Sequence, residues 1–393
     1  MINFEPTEND QKILDAVREQ ALICRKYARY YDENEHEFPP DELEEADGYP
    51  NVYALYAQSH TENDTGLPCM SMLILMGETW GDYSVRMRRG KGGLGNAALR
   101  AAGTPEQQQK WGDLTLAMAI TEPGCGSDPS MVQTSAVLDE ATHEWIINGE
   151  KIFVTTGCRA EGVVVWATLD KSAGRAGIKS FLIEKDTPGF VVAQKEKKLG
   201  IRADDTAAYV FTDCRIPREN LLGGNEEIPK QGSGGFKNVM KTFNMTRPGV
   251  AAIGLGMAEA TLDFTREQLE NAGLSVEYGG NSATQPAAVE KFQRLEQLFE
   301  VSKLTILRAA WLSGEGQPNN LEASICKAKT GTAVRDITQG CIEILGVMGI
   351  SRDYLVEKWF RDVRITDIYE GTGEIQRMIT ARGLLGYGRA ELN

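Results

Sequence analysis

One acid is set apart by its neighbours. The run ITDIYEGTGEIQR (365–377) puts Glu370 after an apolar Ile368-Tyr369 pair and before a Gly-Thr-Gly turn. Helix electrostatics offers one role, since an acid near a helix N-terminus is stabilised by the macrodipole. Thr372 and Glu374 already serve that helix start, however, and Glu370 precedes it. A carboxylate partly desolvated by Ile368 and Tyr369 has its pKa raised, which suits a general base acting on a weakly acidic C–H. From the residues alone both roles stay open.

Three other stretches could do chemistry. In AITEPGCGSD (119–128), two glycines flank Cys125, and Ser127 and Asp128 follow. Such a loop can turn backbone N–H groups toward an anion or a polar ring edge, or can simply join two structural regions. It is neither a Walker A loop nor a dinucleotide-binding GxGxxG. IFVTTG (152–157) ends a β-like run with paired threonines, whose hydroxyls fit a planar heteroaromatic ligand or a satisfied strand edge. SVRMRRGKGG gathers Arg86, Arg88, Arg89 and Lys91, a site for an anion or a set of partners for nearby acids.

The elements that must position these residues change character twice along the chain. QKILDAVREQALICRKYARYY spaces Ile13, Leu14, Val17, Leu22 and Ile23 as a helix does, and GTPEQQQKW starts another, with Thr104 as N-cap, Pro105 at the first position and Gln107 completing the cap. From about residue 116 the period becomes that of strands. EWIINGEKIFVTTG has the form strand, Asn-Gly turn, strand, and GVVVWATL, SFLIEKD, GFVVAQK and AAYVFTDCRIP continue as short β runs. Helical spacing returns near residue 231 and persists, with Pro248 inside the first long helix. The sequence therefore predicts an α+β chain in three parts: 1–115 helical, 116–230 β, and 231–393 helical.

Composition bounds what such a chain does. Its 393 residues, 41% hydrophobic and 25% charged, describe an ordinary globular enzyme. A net charge of −14 argues against nucleic acid or an anionic membrane surface as partner. No apolar run reaches membrane-spanning length, so no membrane insertion is expected. Seven scattered cysteines without a CxxC pair and only three histidines predict neither a disulfide framework nor a metal site. The acid-rich opening reads as neither a secretory signal nor a transit peptide, and a reducing cytoplasm fits best.

Taken together, the α–β–α order, AITEPGCGSD, INGEKIFVTTG and IYEGTGEIQR closely resemble the acyl-CoA dehydrogenase family over roughly residues 100 to 387. The resemblance implies a helical N-terminal domain, a middle β-barrel domain and a C-terminal four-helix bundle, with FAD between the last two. It implies that Met118, Ile120, Thr121, Gly126 and Ser127 line the flavin edge, with Ser127 also reaching the thioester ligand. Phe153, Val154 and Thr155 would cover the other side of the ring, Phe153 standing where the family often has Trp. Thr372 and Glu374 would touch the cofactor, and Tyr369 and Gly371 the substrate.

On the same resemblance Glu370 is the base. It would take the α-proton of an acyl-CoA while the β-hydride passes to flavin N5, with the Glu370 amide helping to bind the thioester oxygen. A second subgroup places its base on the long helix after the β domain, and Thr246 occupies that position here. Asn244, an Asp in close relatives, and Arg247 would touch the CoA arm or shape the surroundings of the carboxylate. A pocket Arg86 would favour a dicarboxylic acyl group, whereas a surface Arg86 would not.

Departures from the family pattern are informative too. DGYPNVYALYAQSHTENDTGLPC replaces the usual acyl-pocket segment. The loop around NAGLSVEYGG replaces a run that reaches a neighbouring subunit's FAD. Within EILGVMG, Glu343 stands where Gln is usual and Val347 where Gly is usual, beside Gly346, at the intersubunit cofactor contact. The expected function is FAD-dependent α,β-dehydrogenation by a homotetramer or dimer, with electrons passed to electron-transferring flavoprotein. The alternatives are a non-catalytic or half-site subunit of a heteromeric enzyme, and an oxidase or flavin monooxygenase on the same fold.

Overall fold

The change of period near residue 116 is a change of structure. The computed structural model describes residues 4–35, 37, 67–89, 93–229, 236–280 and 284–387. Its contacts divide the chain into two units: 90–198 with 204–243, and 1–89 with 199–203 and 244–393. The division by contact thus differs from the division by chain order, because residues 90–115 go with the strands and 1–89 with the C-terminal helices.

In the first unit, helices α3 (Leu94–Ala102) and α4 (Pro105–Trp111) precede seven strands. The strands are β1 (Leu116–Ala119), β2 (Ser135–Asp139), β3 (Glu144–Thr155), β4 (Gly162–Thr168), β5 (Ile178–Glu184), β6 (Phe190–Lys195) and β7 (Thr206–Pro217). They form one curled sheet in the order β1-β4-β2-β3-β7-β6, with β5 also paired to β4. β4 is buried along its whole length, because its alternate residues enter two apolar layers. Val163, Val165 and Ala167 pack with Trp145, Ile147, Phe181 and Phe211, while Val164 and Trp166 pack with Leu99, Trp111 and Leu182. The α4 cap forms as its sequence predicts: Thr104 Oγ1 accepts from the Gln107 amide at 3.3 Å, and Gln107 Oε1 accepts from the Thr104 amide at 2.9 Å.

The Asn-Gly hairpin does not form. β3 runs unbroken through Asn148-Gly149 and pairs with β7, and a register shift between Ile147 and Gly149 marks a bulge instead of a turn. Tertiary packing explains this. Gly149, at φ 150°, lies where a Cβ would come within 2.5 Å of Thr134 Oγ1. The Asn148 side chain is occupied across the strand pair, accepting from the Asp213 amide at 2.8 Å and donating to Asp213 Oδ1 at 3.1 Å.

The second unit contains α1 (Glu8–Glu33), α2 (Met70–Arg89), α5 (Phe236–Asn271) from residue 244 onward, and α6 (Ala287–Gly314). α7 (Asn320–Leu345), α8 (Val347–Ile350), α9 (Val356–Asp362) and α10 (Gly373–Leu385) complete it. α1 buries Ile13, Val17, Ala21, Cys24, Ala28 and Tyr31, leaving Leu22 exposed. Its close approach to α2 needs glycine: a Cβ on Gly81 would lie 2.2 Å from the Ala21 carbonyl oxygen. α2 breaks at Asp82, whose backbone is extended (φ −163°, ψ 119°). There Asp82 Oδ1 accepts from the Val85 amide at 2.9 Å. Its other oxygen meets the wholly buried Lys358, which also binds Asp362, each at 2.5 Å. Asp362 in turn accepts from the Ile201 amide at 2.6 Å, anchoring the 199–203 segment.

Among the described residues no helix is long and apolar enough to cross a membrane, and no group of three or more His, Cys, Asp or Glu is arranged to hold a metal. All seven cysteines are free thiols. The segment 38–66, the side chains of Arg88, Arg89 and Lys91, and that of Asn244 lie outside the described residues.

Candidate active site

Glu370 stands on a turn that the backbone rarely makes. A 3₁₀ run, Val363–Asp367, ends with the Tyr369 amide donating to the Ile365 carbonyl at 3.2 Å. Glu370 then takes φ 55° and Gly371 φ 92°, so both are left-handed. Thr372 follows as N-cap of α10, its hydroxyl accepting from the Ile375 amide at 3.4 Å. A left-handed non-glycine residue is strained by about 1–3 kcal/mol and persists only where its surroundings determine it. Three contacts do so here. Lys327 Nζ donates to the Gly371 carbonyl at 2.6 Å, and Gln376 Nε2 donates to the Gly371 and Glu370 carbonyls at 3.2 and 3.4 Å. Among the described residues the Glu370 amide has no acceptor, because the 3₁₀ run has ended and no helix has yet begun.

The carboxylate is half-buried and its pKa lies above the ordinary range, burial being the main cause. Opposing that rise are a hydrogen bond from Thr246 Oγ1 to Glu370 Oε2 and the positive charges of Lys327 and Arg247. Arg247 is buried and its pKa lowered by burial, with the Glu370 charge acting against that shift. Lys327, also wholly buried, is pushed down to about 8 by burial, partly offset by Asp367 and Glu370. α5, α7 and the 366–372 turn thus converge on one ionisable group.

Around this centre the other expected residues take definite places. The Tyr369 hydroxyl lies 3.3 Å from that of Tyr83, which is buried in the helical core. Arg86 pairs with Glu78 at 2.7 Å, so its charge is already met within the chain. Glu374 is exposed and drawn below the ordinary carboxylate range by its own backbone amide and the Thr372 hydroxyl. Glu343, Gly346 and Val347 lie elsewhere: Lys327 and Glu343 are sixteen residues apart on α7, about 24 Å along the axis. Lys291 and Gln339 hold the Glu343 carboxylate, and Val347 is 82% exposed.

The sheet unit holds a second group of candidates. β1 carries the half-buried Met118 and leads to half-buried Ile120 and Thr121, then to exposed Gly126 and Ser127. This loop is pinned from beneath by a buried ion pair. Lys151 Nζ meets Glu122 Oε1 at 2.7 Å and the Ile120 carbonyl at 3.0 Å. Glu122 also accepts from the Gln133 and Thr134 amides at 2.6 and 3.0 Å. The Ile152 amide donates to the Thr121 carbonyl at 2.9 Å, tying the loop to β3. Next along β3 a second register shift turns Phe153 outward at φ 56°, leaving an exposed aromatic face. Val154 points into the core, so only its backbone is available to a ligand. Among the described residues, neither the Thr121 and Thr155 hydroxyls nor the Gly126 and Ser127 amides hydrogen-bond within the chain. A planar ring bearing carbonyl and ring-nitrogen groups suits that combination of open donors and exposed aromatic, and a flavin is such a ring.

Three contributors were not legible as site residues in the sequence: Glu122, Lys151 and Lys327. The signal for Lys327 was there. It falls on the α7 face that buries Ala323, Thr330, Val334 and Ile337, where a lysine needs a buried acceptor.

Comparison with known proteins identifies the family. Residues 117–214 match the acyl-CoA dehydrogenase middle domain and 233–385 the acyl-CoA dehydrogenase C-terminal domain. The chain is 38% identical over 289 residues to the mitochondrial short-chain specific acyl-CoA dehydrogenase of Mus musculus, covering 72% of this chain and 67% of that protein. Butyryl-CoA dehydrogenase from Megasphaera elsdenii superposes with a TM-score of 0.81 at 29% identity, over 98% of this chain and 100% of that one. A chain from structural work on the electron transferring flavoprotein of Acidaminococcus fermentans gives 0.79 at 31% identity, over 98% and 100%. The residues that surround Glu370 and those along β1 and β3 are therefore parts of an oxidoreductase, and the chain belongs to the acyl-CoA dehydrogenase family.

Proposed function

We propose that the protein dehydrogenates a short-chain acyl-CoA thioester between Cα and Cβ, with Glu370 as the base. The observation that carries this reading is the Glu370 carboxylate itself, raised in pKa by burial, held by Thr246 and mounted beside an uncommitted amide. A thioester α-proton is weakly acidic, so a base of raised pKa is better matched to it than an exposed carboxylate. The free Glu370 amide is a donor for the thioester oxygen, where negative charge develops as the proton leaves. FAD, when bound, supplies the acceptor for the β-hydride. Met118, Ile120, Thr121, Gly126, Ser127, Phe153 and Thr155 are the residues the sheet unit offers to hold it.

The names of the mouse and Megasphaera relatives support a short acyl group. The likeness to the Acidaminococcus chain supports electron-transferring flavoprotein as acceptor. Exposed Val347, Ile350, Leu384 and Leu385 favour an assembly of two or four copies. Seven free thiols fit a reducing compartment such as the cytoplasm.

The test is an anaerobic visible spectrum of the purified protein, recorded before and after adding acyl-CoAs of increasing chain length. Bound flavin is expected to bleach best with a short thioester. Glu370→Gln is expected to slow bleaching by roughly 10²–10⁴. Unchanged bleaching in that variant would remove Glu370 from the role of base.

A further inference from the structure

The proposed reaction uses Glu370, its amide and Thr246, and leaves unexplained a lysine with no exposed surface. Lys327 lies on the α7 face that otherwise carries methyl, methylene and small hydroxyl groups. An ammonium there is costly to desolvate, and a core position has no packing need for one. Its Nζ ends 2.6 Å from the carbonyl oxygen of Gly371, the residue directly after the base. We infer that Lys327 is a positioning residue for Glu370: from within α7 its ammonium clamps the Gly371 carbonyl and fixes the left-handed turn that carries the carboxylate. This rests on Glu370 being the base.

Two consequences follow from that placement. The first is geometric. The turn has two consecutive positive φ values, one of them on a glutamate, and relaxation toward ordinary backbone would swing the carboxylate away from the Thr246 hydroxyl. Gln376 holds the same carbonyl at 3.2 Å, but the lysine contact is shorter and charge-assisted, which makes it the stronger restraint.

The second is electrostatic. Arg247 of α5 and Lys327 of α7 favour the ionised carboxylate, whereas burial favours the protonated one. Cys326 of α7 and Asp367 of the 3₁₀ run also face Lys327, and Asp367 feels Glu374 and Arg377 of α10 and Arg335 of α7. With the lysine charge removed, Glu370 keeps its proton to higher pH. A base must be ionised to act, so the rate at a fixed neutral pH falls and the rising limb of the pH profile moves toward alkali.

Lys327→Met removes both the clamp and the charge, whereas Lys327→Gln keeps a donor for Gly371 and drops only the charge. Both are compared with wild type and with Glu370→Gln. The first readout needs no turnover: an infrared titration of the purified holoprotein, following the protonated-carboxyl band that Glu370→Gln lacks. The second is the pH dependence of anaerobic flavin bleaching by a short-chain acyl-CoA, with kcat and KM separated.

In both variants the band is expected to persist to higher pH than in wild type. In Lys327→Met, kcat at neutral pH is expected to fall at least about tenfold, with KM and bound FAD within about twofold. Lys327→Gln is expected to lose less than Lys327→Met, because it retains the clamp. An unchanged band and rate in both variants overturns the inference. So does a loss confined to folded yield or FAD content, which would make Lys327 only a core strut. If Glu370→Gln still bleaches, it is the assignment of the base that fails, and the infrared titration continues to report whether Lys327 governs that carboxylate.

Discussion

Among 56 acidic residues, Glu370 combines a left-handed backbone, a half-buried carboxylate and a hydroxyl from another helix. The hydroxyl has a defined effect. It lowers the carboxylate's pKa against the rise due to burial, so Thr246→Val is expected to raise that pKa further. Activity depends on the ionised form, and so the variant should lose rate at mildly acidic pH and recover it at alkaline pH. Measuring the pH profile of acyl-CoA-dependent dye reduction checks this; a profile superimposable on wild type would leave Thr246 without influence on the base. Glu370 stood out in the sequence by its place between an apolar pair and a Gly-Thr-Gly turn, although Ile368 itself is exposed. Of its partners, Thr246 and Arg247 came only with the family resemblance, and Lys327 showed only as a lysine on a buried helix face with no acceptor in view. Thr246 is 124 residues away and Lys327 contacts the next carbonyl from 44 residues away, and no local pattern encodes such distances.

Elements were legible where their ends are made by adjacent residues. The Thr104-Pro105-Gln107 cap forms from three side chains within one turn, so sequence spacing suffices. The Asn-Gly pair in β3 looked equally decisive, yet nine paired positions with β7 and the Asn148–Asp213 contacts outweigh a two-residue turn preference. The break in α2 at Asp82 could not be read at all, since its partners Lys358 and Asp362 lie far down the chain. That cluster makes a sharp prediction. Lys358→Met leaves two carboxylates buried with no cation between them, and should cost about 3–5 kcal/mol in thermal or denaturant unfolding. A change within about 0.5 kcal/mol would mean that the cluster relaxes by protonation or by admitting water.

At the scale of the whole molecule, the exposed apolar residues of α8 and α10 stand out on a chain of net charge −14, which by itself opposes association. Covering them requires another surface, and the candidate cofactor contacts at Glu343, Gly346 and Val347 adjoin those of α8, about 24 Å along α7 from Lys327, whereas the end of α10 lies against Leu321 at the start of α7. We expect sedimentation to give a multiple of 43.2 kDa. Charged substitutions at Val347 and Leu384 together should lower both that mass and the FAD retained. A single protomer that holds stoichiometric FAD would contradict the arrangement. The family was legible in the order of three short motifs within an α–β–α chain, whereas contact between residues 1–89 and the C-terminal helices was not, because sequence order says nothing about which distant segments share a core.

That discontinuous helical unit sets an order of assembly. Arg18 of α1 is joined to Glu259 across 241 residues, and Asp32 to Arg361 across 329. At ~5–20 residues per second, a nascent α1 waits roughly 16–66 s for Arg361 to leave the ribosome. Residues 90–243 are complete much sooner, so the sheet unit can fold while the apolar face of α1 is still without its later partners. α1 can meet α2 early, where Gly81 lies against Ala21, but Leu307, Ala310 and the ion-pair partners come much later, so of the two units the helical one closes last.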